Sequence, residues 1–379
     1  MITPFKINIS NKIIENINKK VANYPWHEMP DDGGWKYGTN LDYMKEISKY
    51  WVDKFDWKKT EEKINKFQNF KSNIHGIDIH FIYEKGSGSS PKPLLLSHGW
   101  PGSIIEFLHI IDKLAHPEKY GGKVEDAFDV VVPSLPGFGF SGRPSRPIGP
   151  RKIASIFNSL MTEILGYKKY IAQGGDFGGT ITTWLAYDFP KKCAGIHVNI
   201  LIIRHPDGPQ TDEEKKWQER FIKEQRIEDG YRVQQATKPQ TLSYAMMDSP
   251  VGVAAWIIEK MHGWSDIKNN NIESVHSKDT LLSNIMVYLV TKTFNTASWI
   301  YFGRREEGGR SLPKENLPLK VPTAVALFPK EFLKWAPRSY VERIYNVQRW
   351  TEMSKGGHFA ALEQPDLLVK DIRDFANSL

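Results

Sequence analysis

A glycine-rich run near the middle of the chain has the spacing of a nucleophile turn. Gly-Gly-Asp-Phe-Gly-Gly at residues 174–179 follows the short apolar run 170–172 and precedes a helix-like segment at 180–187. Small residues on both sides of a central side chain permit a strained strand-to-helix turn that exposes this side chain. Here it is Asp176, whose carboxylate is anionic at neutral pH and can displace a leaving group from saturated carbon, forming an ester. The alternative is a loop in which Asp176 merely caps the next helix.

A second turn, His-Gly-Trp-Pro-Gly-Ser at residues 98–103, follows the apolar run 94–96. In the α/β-hydrolase fold this is the position of the second oxyanion donor. We therefore expect the backbone N–H groups of Trp100 and Phe177 to bind the negative charge that develops when water attacks an ester carbonyl. His98 is interpreted as stabilising the turn, and a tight Gly-Pro turn without a function is the alternative.

Hydrolysis of an ester on Asp176 requires a general base, and histidine is the usual base near neutral pH. Among the eleven histidines, His358 is the best placed, because it lies in a Gly-Gly-His-Phe loop just before the final helical segment. An isolated histidine in a loop is usually structural. Its position 182 residues after Asp176 (358 − 176), at the end of the alternating strands and helices, favours the catalytic interpretation.

An acid should orient the base, and in this fold the order along the chain is nucleophile, acid, histidine. The strand-like run 321–328 leads into Phe-Pro-Lys-Glu, which places Glu331 on the loop beyond the carboxyl end of that strand. Glu331 is therefore the predicted acid. Glu342 and Glu352 are the alternatives, and Glu331 could also simply begin a surface helix.

Two tyrosines are candidates for stabilising a departing alkoxide through their phenolic O–H groups. Tyr231 lies in Gly-Tyr-Arg-Val-Gln and Tyr301 in Trp-Ile-Tyr-Phe, both within a helix-rich part of the chain. By spacing alone, either one could be an ordinary core aromatic among the 15 tyrosines.

The elements that must position these residues alternate in the middle of the chain. Short apolar runs separated by helix-length segments predict a mostly parallel sheet flanked by helices; they lie at 94–96, 130–132, 170–172 and 196–200. From about 204 to 300 the pattern predicts successive helices instead, with helical runs at 253–261 and 281–294. Strand-like residues resume at 321–328, and a final helix starts at Pro365. The predicted fold class is α/β, with a helical lid inserted over the strand ends where such sheets bind ligands.

The chain resembles the microsomal-type epoxide hydrolases, including the juvenile-hormone epoxide hydrolases of insects, along nearly its whole length. Beside the two turns described above, the matching segments are Trp-Lys-Tyr-Gly at 35–38, Lys-Pro-Gln-Thr at 238–241, Ser-Pro-Val-Gly at 249–252 and Gly-His-Phe-Ala-Ala at 357–361. The resemblance implies an α/β-hydrolase fold divided into a 1–90 N-terminal extension, a 91–203 first core part, a 204–302 helical lid and a 303–379 second core part.

The same resemblance implies the role of each candidate side chain. Asp176 is the expected nucleophile, His358 the base and Glu331 its acid, while Tyr231 and Tyr301 polarise the epoxide oxygen. The reaction would convert a lipophilic epoxide to a vicinal diol without a metal or organic cofactor. Phe-Gly-Arg at 302–304 departs from the Lys or Arg and Glu that usually follow the second tyrosine in this family.

The composition of the chain excludes several classes of protein. The chain has 379 residues, a formal net charge of +7 and a single cysteine, Cys193. The lysines alternate with acids, as at 56–66, so the charge does not predict nucleic-acid binding. Cys193 has no disulfide or metal partner by spacing, which indicates a reducing compartment. No apolar run approaches the length of a membrane span, so we expect a soluble cytoplasmic protein. Peripheral membrane association and a homodimer are both compatible with the sequence. Animal members of the family usually carry an N-terminal membrane anchor; because this chain begins almost directly at the extension, we expect a soluble member.

Two alternative functions use the same fold. A haloalkane dehalogenase forms the same ester on aspartate, but its halide needs N–H donors, typically a Trp after the nucleophile and an Asn or Trp after the His-Gly pair. Phe177 does not meet the first requirement, whereas Trp100 leaves the second open. Paired tyrosines suit an alkoxide better than a halide. A catalytically silent protein that only binds a lipophilic ligand would have lost a member of the catalytic triad, whereas candidates for all three are present here.

Overall fold

The computed structural model describes residues 1–379 and contains nine strands. They are β1 (Ile2–Pro4), β2 (Asn69–Ile74), β3 (Ile77–Glu84), β4 (Lys92–Ser97), β5 (Phe128–Pro133), β6 (Tyr170–Gly174), β7 (Cys193–Val198), β8 (Pro322–Leu327) and β9 (Asn346–Glu352). All nine form one sheet in the order β1-β2-β3-β5-β4-β6-β7-β8-β9. The pairs from β5 to β9 are parallel, whereas β1, β2 and β3 join antiparallel at one edge. The predicted α/β class with a mostly parallel sheet is confirmed.

Helices cover the sheet and explain the composition of its central strands. Those outside the segment between β7 and β8 are α1 (Asn11–Ala22), α2 (Leu41–Asp53), α3 (Trp57–Asn65), α4 (Leu108–Ala115), α5 (Pro150–Ser159) and α6 (Asp176–Asp188) before it, and α13 (Arg338–Glu342), α14 (Ala360–Glu363) and α15 (Pro365–Ala376) after it. Leu94 to Leu96 in β4 and Val130 to Val132 in β5 are fully buried. A strand covered on both faces needs apolar residues on both faces, which is why these runs do not alternate with polar residues.

Six helices lie between β7 and β8, and we refer to them as the inserted helices. They are α7 (Asp212–Glu228), α8 (Gly230–Thr237), α9 (Pro239–Met246), α10 (Pro250–Gly263), α11 (Lys278–Thr291) and α12 (Phe294–Glu306). The helical run expected at 281–294 is divided, because Lys292 adopts a left-handed conformation (φ 55°) that ends α11. The chain then restarts as α12 at Phe294.

The N-terminal residues pack against the inserted helices. The Thr39 hydroxyl donates to the Ala255 carbonyl at 2.7 Å, and the Tyr50 hydroxyl donates to Asp279 at 2.9 Å. The buried hydroxyls of Thr60 and Ser283 lie 2.7 Å apart. These bonds tie the residues just before α2 to α10, and α2 and α3 to α11. None of the helices combines the length and the hydropathy that crossing a bilayer requires.

Candidate active site

The turn between β6 and α6 places Asp176 at the carboxyl edge of the sheet. Asp176 has φ 48°, a left-handed conformation that is uncommon for a residue with a side chain. The turn is tight enough that a Cβ at Gly178 would overlap the Ser97 carbonyl oxygen, and one at Gly99 would overlap the Asp176 carboxylate. Glycine at these two positions therefore allows β4, the turn after it and the nucleophile turn to approach each other.

The two carboxylate oxygens of Asp176 have different surroundings. Oδ1 accepts a hydrogen bond from the backbone N–H of Trp100 at 2.9 Å. Oδ2 lies 3.5 Å from His358 Nε2. The Phe177 N–H makes no hydrogen bond to Asp176 in this geometry. His98 does not contact the carboxylate; its Nε2 accepts from the Leu135 N–H at 3.2 Å, which agrees with a role in holding the turn.

His358 is held by Glu331 on the side away from Asp176. Its Nδ1 lies 3.0 Å and 2.9 Å from the two Glu331 oxygens, and both side chains are buried. With Nδ1–H donating to Glu331, Nε2 faces Asp176. Burial opposes charge on His358, yet the Glu331 and Asp176 carboxylates outweigh it and raise its pKa to about 10.

The alternative acids lie elsewhere. Glu342 is exposed and bonded to Arg338 at 2.7 Å. Glu352 is the exposed last residue of β9. Neither carboxylate bonds His358, whereas Glu331 bonds it with both oxygens and also accepts from the Leu333 N–H at 3.1 Å.

The loop that carries His358 is fixed by a carboxylate and by the inserted helices. Glu363 accepts hydrogen bonds from the N–H groups of Gly357, Phe359 and Asp266, at 2.9, 2.9 and 2.8 Å. The His358 N–H donates to the carbonyl of Trp264, at 2.9 Å. Burial raises the pKa of Glu363 to about 7, although the three N–H groups act in the other direction. The base loop and the loop after α10 are thus one hydrogen-bonded unit.

The two tyrosines of the inserted helices face each other beside the nucleophile. Tyr231 on α8 and Tyr301 on α12 have ring centroids 5.9 Å apart. The Trp100 ring stacks on Tyr231 at 5.2 Å and meets Tyr301 edge-on at 5.6 Å. Burial is the main cause that raises both tyrosine pKa values well above the usual 10, and the charge of Asp176 contributes to both. Both phenols therefore keep their protons at neutral pH and can donate hydrogen bonds. The structure brings together all five side chains that the sequence singled out.

A cavity of about 140 Å³ opens beside Tyr231. Trp264, Phe332 and Leu333 line it together with Tyr231 and Arg310. The Trp264 ring stacks on Phe332 at 4.2 Å and meets His358 edge-on at 5.1 Å. Aromatic side chains therefore form much of the wall between this cavity and the base.

Sequence reasoning missed several residues near the site. Arg304 is 6% exposed, and its guanidinium lies 4.8 Å from the Phe177 ring centroid and 5.5 Å from that of Tyr301. Glu106 lies on a short 3₁₀ turn close to Asp176 and His358. The sequence did contain a signal for Glu106, because this residue lies three positions after the 98–103 motif. Arg304 carries no comparable signal, because its position depends on how α12 packs. No group of three or more His, Cys, Asp or Glu side chains is arranged to hold a metal ion.

A strained nucleophile turn after a parallel strand, with an acid and histidine pair from later loops, defines an α/β-hydrolase. The family model described as alpha/beta hydrolase fold matches residues 92–245, and the one described as Epoxide hydrolase N terminus matches residues 2–107.

Relatives and solved structures give the family more closely. A putative epoxide hydrolase of Stigmatella aurantiaca is 39% identical over 98% of this chain and 84% of its own length. Epoxide hydrolase 1 of Sus scrofa is 36% identical over 100% of this chain and 89% of its own. The structure of juvenile hormone epoxide hydrolase from the silkworm Bombyx mori superposes with a TM-score of 0.89 at 28% identity, covering 100% of this chain and 94% of that one. The Aspergillus niger epoxide hydrolase gives 0.87 at 27% identity, covering 100% and 96%. The chain belongs to the epoxide hydrolase family, and neither the dehalogenase nor the silent binding protein is favoured.

Proposed function

We propose that this epoxide hydrolase opens a lipophilic epoxide through a covalent ester on Asp176. The observation that carries the proposal is the unequal environment of the Asp176 oxygens. Oδ1 is held by the Trp100 N–H, while Oδ2 is directed towards His358. A carboxylate held by one oxygen can attack with the other while its geometry is maintained.

In the first step, Oδ2 attacks one epoxide carbon and the bond from this carbon to the ring oxygen breaks. Tyr231 and Tyr301 donate hydrogen bonds to the ring oxygen as its negative charge develops. Their pairing at 5.9 Å between centroids supports a shared ligand. Arg304, beside the Tyr301 ring, favours the same negative charge.

In the second step, His358 removes a proton from water, which attacks the ester carbonyl carbon. The resulting oxyanion at Oδ1 is stabilised by the Trp100 N–H and by the Phe177 N–H. Ester formation also prepares the base. It removes the Asp176 charge, which is one of the interactions that raise the His358 pKa, so His358 gives up its proton more readily in the ester than in the free enzyme.

We further propose that the inserted helices act as a lid, because they supply both tyrosines and Trp264. The 140 Å³ cavity is also lined by Glu224, Glu228 and Asp229, but its aromatic residues Tyr231, Trp264 and Phe332 favour an apolar substituent on the epoxide. Closing the site with these helices would exclude bulk water, which protects the ester from uncontrolled hydrolysis.

Diol formation from a test epoxide such as styrene oxide measures the activity directly. We expect the wild-type protein to form the diol and Asp176→Ala to form none above the uncatalysed rate. Asp188→Ala, at the far end of the same helix in a surface ion pair with Arg151, is the matched control and should keep full activity. Diol formation by Asp176→Ala at more than about 1% of the wild-type rate would exclude Asp176 as the nucleophile.

A further inference from the structure

A second, smaller cavity touches both the nucleophile and the base. Its volume is about 20 Å³, and its walls include Asp176, His358, Glu106 and Gln173. It shares no lining residue with the 140 Å³ cavity beside Tyr231, and neither catalytic tyrosine borders it. The small cavity, which borders Asp176 and His358, is therefore separate from the cavity beside Tyr231.

The small cavity has the size and polarity of a site for one water molecule. A water needs a cavity of roughly 10–15 Å³ on this measure and two to four polar partners. Gln173 is 1% exposed; its amide nitrogen donates to Asn199 at 3.0 Å, while its Oε1 accepts no hydrogen bond. The wall of the cavity thus contains a free buried acceptor in addition to the imidazole.

Glu106 offers a further acceptor. It lies on the 3₁₀ turn Ile104–Phe107, where the Ser103 hydroxyl accepts a hydrogen bond from the Ile105 N–H and fixes the turn. The carboxylate packs against Gly102, where any Cβ would overlap Oε1. No side chain or backbone group of the protein donates a hydrogen bond to Glu106, and no cation pairs with it.

Glu106 is also close enough to sense the charges of the reacting groups. Its pKa is raised to about 8, mainly by burial; positive charge on His358 acts in the other direction, and the Asp176 carboxylate contributes to the rise. In the ester the Asp176 charge is absent, so the pKa of Glu106 falls and its ionised form, the stronger acceptor for water, is favoured. An apolar side chain of the same size would avoid the cost of partly burying an unpaired carboxyl group here.

We propose that the small cavity binds the water that hydrolyses the ester, and that Glu106 positions this water. The inference rests on the proposed ester at Asp176. The water donates one hydrogen to Glu106 and gives the other as a proton to His358 Nε2, while its oxygen bonds to Asp176 Cγ. The tetrahedral intermediate then expels the substrate oxygen, which takes the proton from His358. The second water proton leaves the new carboxyl group and replaces the proton that the tyrosines give to the ring oxygen, so the diol is complete and the Asp176 carboxylate forms again with one oxygen from water.

Two separate spaces give this arrangement a chemical advantage. The alkyl group of the ester lies on the side of the tyrosines, so water from the small cavity can attack the carbonyl carbon without passing the substrate. In this proposal the water occupies the small cavity before the ester forms. It cannot open the epoxide directly, because the epoxide is bound beside the two tyrosines and neither tyrosine borders this cavity.

The test is rapid acid quenching of single turnovers, with the alkyl-enzyme measured by intact mass and the diol by chromatography. Glu106→Gln keeps the size of the side chain. We expect its alkylation rate and kcat/KM to stay within about threefold of wild type, while ester hydrolysis slows by about tenfold to a hundredfold, the effect of one hydrogen bond to a charged group. kcat and KM should fall together, and the alkyl-enzyme should accumulate.

Three comparisons separate this role from a merely structural one. Glu106→Asp should recover part of the hydrolysis rate, because it restores a carboxylate. Gln173→Leu alters another wall of the cavity and should slow the same step. Glu125→Gln, an exposed glutamate without a partner, should behave like wild type. Equal slowing of alkylation and hydrolysis, or an unchanged hydrolysis rate in both Glu106→Gln and Gln173→Leu, would overturn the proposal. Failure of wild type to form any alkyl-enzyme would instead refute the proposed function itself.

Discussion

Replacing Glu331 by glutamine isolates the contribution of one charge to the second chemical step. Glutamine matches the shape of the side chain and can still bond His358, so the main loss is the negative charge beside the imidazole. In the structure both carboxylate oxygens lie within 3.0 Å of Nδ1, and the pair is buried. When His358 takes a proton from water, the new positive charge lies beside this carboxylate.

The size of the effect follows from the distance and the burial. Two unit charges about 4 Å apart interact by about 4 kcal/mol at an effective dielectric constant near 20. This corresponds to a rate reduction on the order of a thousandfold, because each 1.36 kcal/mol is a factor of ten. The amide can also donate to Nδ1 and favour the tautomer that carries its proton on Nε2, which would add to the loss.

The assay is a single turnover of excess Glu331→Gln enzyme with a test epoxide, quenched in acid at successive times. We expect the alkyl-enzyme to form at a rate within about tenfold of wild type and then to persist, with hydrolysis slower by on the order of a thousandfold. Glu342→Gln is the matched control, since Glu342 forms an exposed pair with Arg338. Hydrolysis within tenfold of wild type, or an equal loss in alkylation, would refute the electrostatic reasoning.

Three further predictions concern the tyrosines, the base and the nucleophile turn. Tyr231→Phe and Tyr301→Phe should each slow alkylation by about tenfold to a hundredfold. The double variant should lose nearly all activity without accumulating alkyl-enzyme. Accumulation of alkyl-enzyme in acid-quenched reactions of these variants would contradict this role. The hydrolysis of preformed alkyl-enzyme should rise with pH as His358 loses its proton, with an apparent pKa below the resting value of about 10, because the Asp176 charge that raises it is gone; an apparent pKa of 10 or above in single-turnover rates would be inconsistent. Gly99→Ala should reduce turnover by at least about a hundredfold and also lower the melting temperature, since its Cβ overlaps the Asp176 side chain; normal turnover would show that the turn relaxes freely.

The sequence predicted those parts of the fold whose residues form a recognisable pattern over a short stretch of chain. The apolar runs at 94–96 and 130–132 lie in fully buried strands, and the Gly-rich turn forms the junction of β6 and α6. By contrast, β9 was missed because it is an edge strand of half-exposed residues, Asn346–Glu352, without a clear alternation. Its pairing with β8 is decided by tertiary contacts.

The residues of the candidate site also differ in how well the sequence predicted them. Asp176 and His358 stand in glycine-rich turns whose position along the chain is informative. The position after the strand 321–328 favoured Glu331 but left Glu342 and Glu352 as alternatives, because the choice depends on which carboxylate reaches His358 Nδ1. The catalytic roles of these residues remain predictions, although the structure brings the proposed groups within reach of each other.

Residues that act through packing were invisible in the sequence. Glu363 fixes the base loop by accepting three backbone N–H groups, a pattern that exists only once the loop is folded. Arg304 approaches Phe177 and Tyr301 from the end of α12. Glu106 reaches the small cavity only because β4 and β6 are adjacent and parallel.

The most direct test of the account is a single turnover of excess enzyme with a test epoxide in oxygen-18 water. The ester mechanism predicts that the first diol molecules carry unlabelled oxygen from the enzyme, and that the label enters the carboxylate of Asp176, where peptide mass spectrometry can locate it. Label appearing in the diol during the first turnover, with Asp176 unlabelled, would show that water opens the epoxide directly and would contradict the covalent mechanism.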